Sequence, residues 1–100
     1  MKIIAVTQDQ IILKDGVPAD ARKIGGYHMT NGEWAVHFDT TLGLGHVEYL
    51  DNRVNVDLTQ ADYDAHYAWL ETTHQQVLDY DAEQQAIADS ADSDDSSATV

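Results

Sequence analysis

Apolar residues recur with period 2 through the first part of the chain, and with spacings of 3 and 4 through the second. Met1 to Thr7 is apolar and β-branched, and Gln10-Ile11-Ile12-Leu13-Lys14 is a second short run. Thr7-Gln8-Asp9-Gln10 links them as a tight turn, which predicts a first hairpin. Asp15-Gly16-Val17-Pro18-Ala19-Asp20 reads as a turn-and-loop segment, and Gly25-Gly26 as a further break before Tyr27-His28-Met29-Thr30. Asn31-Gly32 then predicts a hairpin turn, because both residues tolerate the positive φ of a type I′ turn. After it, Trp34, Val36 and Phe38 alternate with Ala35, His37 and Asp39. Beyond the Gly43-Leu44-Gly45 link, Val47 and Tyr49 alternate with His46 and Glu48. Asp51-Asn52 is a second two-residue turn candidate, followed by Val54 and Val56 as inward positions. These runs predict an antiparallel meander with one dry and one wet face.

From Thr59 the period changes. Thr59-Gln60-Ala61-Asp62 has the form of an N-cap with an acidic residue three positions on. Tyr63, Tyr67, Leu70, Val77 and Leu78 then mark an apolar stripe that would lie on the dry face of the sheet, so one helix is expected from about Gln60 to the early 80s, fraying on to Ala88. The fold class is α+β: an antiparallel β-meander of short strands followed by one C-terminal helix packed on the sheet, with a disordered acidic tail. Residues 1–58 form the sheet part and 59–88 the acidic amphipathic helix of the same domain. Residues 89–100, rich in Asp and Ser, are too poor in large apolar side chains to offset the entropy of ordering.

Charge divides the chain at the same place. Its 100 residues carry a net charge of -13; residues 1–58 contribute -3, and residues 59–100 contribute -10 without one Lys or Arg. Five basic side chains cannot form the basic stripe that phosphate neutralisation needs, so direct binding of nucleic acid and of anionic lipid surfaces is excluded from the reading. No run of about 18 apolar residues is present to span a bilayer. The apolar N-terminal run is too short for a signal peptide. The absence of Cys removes disulfides, thiolate zinc sites and cysteine nucleophiles together. With no basic i,i+4 partners, Asp79, Asp81, Glu83 and Asp89 weaken the end of the helix, unless a cationic surface of another subunit or partner holds it.

Candidate chemistry is sparse. His37 and Asp39, with His46 and Glu48, fall on the wet faces of neighbouring strands, and a suitable register would gather His37, His46 and Glu48 into a zinc-type donor set. Solvent-facing polarity explains the same residues without a metal, and no metal or cofactor is expected. His28, His66 and His74 read as surface or helix–sheet boundary residues. Serines cluster in the tail without a nucleophile elbow, and Gly43-Leu44-Gly45 lacks the third glycine of a phosphate loop, so no catalytic residues are assigned. Trp69, Tyr63 and Tyr67, with Asp79, Asp81 and Glu83, are the interface candidates; Trp69 flanks the helical stripe, as a core-edge residue or as an interface anchor.

The succession Gly32-Glu33-Trp34-Ala35-Val36-His37-Phe38-Asp39, Gly45-His46-Val47-Glu48-Tyr49-Leu50-Asp51-Asn52-Arg53 and an acidic-aromatic helix resembles small proteins encoded among the tail and tail-fibre genes of tailed bacteriophages and prophages. It spans roughly residues 32–75. The resemblance implies a non-enzymatic virion-associated or assembly role by protein–protein binding. The partner would be a phage structural protein or a second copy of the chain, met in the host cytoplasm during assembly or in the virion. The competing expectation is an acidic mimic of DNA that inhibits a host defence or nucleic-acid-binding protein. Adaptation to a high-salt host would account for the Asp excess without any function.

Overall fold

A computed structural model describes residues 1–51 and 53–98, with side chains up to Ser90. Strands β1 (Lys2–Val6), β2 (Ile11–Lys14), β3 (Val17–Asp20), β4 (Glu33–Asp39), β5 (Leu44–Tyr49) and β6 (Val56–Thr59) form one antiparallel sheet in the order β3-β2-β1-β4-β5-β6. It consists of two three-stranded meanders joined by the long-range pairing of β1 with β4. A 3-10 turn (Ala21–Ile24), helix α1 (Gln60–His66) and helix α2 (Trp69–Ala98) complete the α+β fold.

Local chemistry explains most of the turns. Thr7–Gln10 closes the expected first hairpin, with Gln10 at φ 55°. Asp15 and Gly16 both take positive φ, at 50° and 81°, so this Asp-Gly pair makes the two-residue hairpin between β2 and β3. Val17–Asp20 is therefore a strand and not the expected loop; its Pro18 is accommodated because β3 is at the sheet edge. Asn31-Gly32, by contrast, makes no hairpin. Only Gly32 of that pair has positive φ, at 72°, and β4 finds its partner in β1, not in residues 27–30. The Asp51-Asn52 turn is half visible: Asp51 accepts hydrogen bonds from the main chain and side chain of Arg53, which hold its carboxyl below the usual range, while Asn52 lies outside the described residues.

One face of the sheet is dry. Ile3, Ala5, Ile12, Val36, Phe38, Val47 and Leu58 are buried there against Tyr63, Tyr67, Leu70 and Val77 of the helical layer. The Phe38 and Tyr63 rings stack with centroids 4.4 Å apart and planes 6° from parallel. Trp34 departs from its expected inward place: a register shift between Glu33 and Ala35 breaks the alternation, and Trp34 is 37% exposed. Val54 and Val56 are also exposed, at 83% and 51%: Val54 precedes β6, and Val56, though opposite Val47 on the dry face, stands on the edge strand, where Leu58 is the residue that reaches the core.

The expected single helix is two. Thr59 caps α1 as read, its hydroxyl accepting from the Asp62 N–H at 3.2 Å. The helix then ends at Tyr67, whose φ of −133° turns the chain. Two side chains hold the break: the Tyr67 hydroxyl donates to Glu33 at 3.1 Å, and the Trp69 indole donates to the free His66 carbonyl at 2.8 Å. Helix α2 lies over β2, β3 and the 3-10 turn, and its last half-buried contact is Asp81, 2.9 Å from the Lys23 ammonium. From Ala82 to Ser90 every side chain is exposed. The Asp/Ser tail expected at 89–100 falls, from residue 91 on, outside the residues whose side chains are described.

Candidate functional site

The helices cover one face of the sheet, so strand alternation sends the other set of side chains to an uncovered face. Antiparallel register fixes their neighbours there: Ile4 lies opposite both Leu13 and His37, His37 opposite His46, and His46 opposite Asp57. Glu48, two residues after His46 on the same strand face, reaches His37 diagonally. The two imidazoles stack with centroids 4.5 Å apart and planes 13° from parallel, and His37 Nε2 is 3.3 Å from a Glu48 carboxylate oxygen. One ligand atom from each of His37, His46 and Glu48 lies within 4.8 Å of the other two. The wet-face gathering allowed by the alternation is thus formed, half-buried and beside a cavity of about 300 Å³ lined by Lys2, Ile4, Asp39 and Leu44 together with the two histidines.

The rest of this face differs from the expected wet surface. Over β1 and β2 it carries Ile4, Val6, Ile11 and Leu13, paired across the strands as Ile4 with Leu13 and Val6 with Ile11, all half-buried and uncovered by a helix. The open face is aliphatic at one end and His/Glu-bearing at the other.

The interface candidates on the helices separate. Tyr63 and Tyr67 are core residues at 1% and 7% exposure, so their rings are spent on internal packing and are closed to a partner. Burial raises both hydroxyls well above the ordinary tyrosine value, helped by Glu71 beside Tyr63 and Glu33 beside Tyr67; both act as fixed hydrogen-bond donors. Trp69 is half-buried at the core edge, its ring 5.7 Å from that of Tyr27. Asp79 and Glu83 are exposed on α2, while Asp81 is engaged by Lys23 of the same chain, the nearby cation that the expectation sought on a partner.

Two polar residues have roles the sequence reading did not reach. Glu33, to which that reading gave no role, is 3% exposed and accepts from the Asn31 N–H at 2.6 Å and from Tyr67. It lines a cavity of about 110 Å³ with His28, Asn31, His66 and Trp69. An acidic residue at the head of an apolar alternation was the available signal. His74, 2% exposed at the helix–sheet boundary, bonds the Val17 carbonyl through Nε2 at 2.7 Å, leaving Nδ1 without a partner.

No family model matches the chain, and no curated protein or solved structure matches it either. Among the described residues no helix is long and apolar enough to cross a membrane.

Proposed function

We propose that this chain is a non-catalytic binding protein that docks through the open face of its sheet on a protein component of a phage tail. The observation that carries the binding role is the uncovered aliphatic row Ile4, Val6, Ile11 and Leu13. Apolar side chains grouped on an open sheet face are characteristic of contact surfaces, because burying them against a second protein removes them from water at about 25 cal/mol per Å². The tail setting comes from the strand and turn pattern of residues 32–75.

A tagged pull-down during phage growth, with mass spectrometry of the captured proteins, tests this directly. The expected result is capture of tail or fibre proteins that survives high salt and is abolished by Leu13→Asp, with the variant still folded by circular dichroism. Capture insensitive to Leu13→Asp, or self-association alone, overturns the reading.

A second reading has its own support. Asp79, Glu83 and Asp89 are carried on regular helical backbone, as a mimic of the DNA phosphate backbone requires. The same experiment would then capture a basic nucleic-acid-binding protein, in amounts that fall steeply with salt and ignore Leu13→Asp.

A further inference from the structure

We propose that His37, His46 and Glu48 form a binding site for a zinc-class divalent transition-metal ion on the open face of the sheet. The site goes beyond the partner-binding reading and does not depend on it. Its first support is distance. At metal–ligand bonds of about 2.0–2.1 Å, the edge of a ligand tetrahedron is roughly 3.3 Å. The His37 Nε2 to Glu48 separation is 3.3 Å, so one edge is already in place. The remaining separations lie within 4.8 Å, so side-chain rotation has about 1.5 Å at most to close.

The second support is the scaffold. Strands β4 and β5 are interior to the sheet, each paired on both sides, and their register puts His37 directly opposite His46. A site built on paired strands holds its ligands more firmly than one on a loop. The third is donor chemistry. Two imidazoles and one carboxylate are a set that zinc takes with one coordination position left open, whereas calcium and magnesium favour all-oxygen shells. The open position belongs to water from the adjoining cavity, where Lys2 and Asp39 are the charged neighbours. A chain of net charge -13 also draws cations towards its surface.

The full chain, stripped of metal with a chelator, is titrated with Co(II) followed by visible absorption and with Zn(II) followed by calorimetry. One saturable equivalent is expected, with the intense visible bands of a four-coordinate cobalt site that includes nitrogen ligands. His46→Ala and Glu48→Gln each weaken binding by at least the roughly 10–100-fold that loss of an outer-shell partner costs at such sites. His66→Ala, on the exposed end of α1, leaves it unchanged. A variant-free check is the NMR spectrum of the wild-type chain, in which Zn(II) shifts the ring protons of His37 and His46 before those of His28 or His66. Absence of saturable binding, binding that survives the His37→Ala/His46→Ala double substitution, or shifts confined to the acidic helix would overturn the site.

Discussion

Ile3 and Ile4 are neighbours on the same strand, and their environments are opposite. Ile3 is fully buried beneath the helical layer; Ile4 is half-buried on a face nothing covers. The contrast holds across the sheet. On the covered face the polar side chains that enter are locked: Tyr63 to Glu71, Tyr67 to Glu33, His74 to Val17. On the open face His37, His46 and Glu48 meet one another with donor capacity to spare. A strand of period 2 creates both faces at once, but only the elements packed on it decide which becomes core. Stability therefore belongs to one face, and the proposed binding to the other.

The heaviest test of that division is on the covered side. Tyr63→Ala removes the ring stacked on Phe38 and the hydroxyl held by Glu71, and should cost about 3–5 kcal/mol by urea unfolding. Tyr63→Phe keeps the stack and should cost only about 1 kcal/mol, the net value of the hydrogen bond and its stranded acceptor. Equal costs for the two would mean that the hydroxyl, not the ring, is what the covered face depends on.

A weaker effect is expected at alkaline pH. Burial pushes the Tyr27 hydroxyl up to about 12, from 10 in the unfolded chain. Between those values the unfolded state releases a proton that the folded state keeps, so stability is full below pH 10 and falls as pH rises through 12. Tyr63 and Tyr67 shift in the same direction and add to the fall. Urea midpoints measured from pH 9 to 11 should decline, and less steeply in Tyr27→Phe. A decline that the variant leaves untouched would assign the alkaline loss to other groups.

How far the two faces were readable before folding depends on whether the deciding contact is local. The capping of α1 by Thr59, the stripe Tyr63–Tyr67–Leu70–Val77 and the alternation of His37, His46 and Glu48 need only residues a few positions apart, and all were legible. The pairing of β1 with β4 was not, because it joins residues 29 to 37 positions apart and displaces the hairpin that Asn31-Gly32 favours locally. The bulge that turns Trp34 outward was hidden too, because it lies in the register of β4 against β5 and breaks the local alternation. The break at Tyr67 is similar: the helical period runs through it, and one of the two side-chain ties that hold it reaches Glu33, 34 residues away. The metal-type cluster was legible as a set of residues, and its geometry waited on the register.

The smallest effect is the one that separates the two faces most cleanly. Thr keeps the β-branch of Ile, and with it the strand preference, while trading apolar surface for a hydroxyl. At Ile4 that hydroxyl can reach water, so Ile4→Thr should change stability by no more than about 0.5–1 kcal/mol. At Ile3 the same exchange buries an unpartnered hydroxyl and opens a void, and should cost roughly 2–4 kcal/mol. Urea unfolding of the pair measures the difference at two adjacent positions in one strand, with propensity held constant. Comparable costs would mean that the open face is closed in solution. In that case the Ile4→Thr loss would diminish on dilution as the wild-type chain dissociates, and the aliphatic row would be occupied by a second copy of the chain. A small, concentration-independent cost leaves the row free for a different protein.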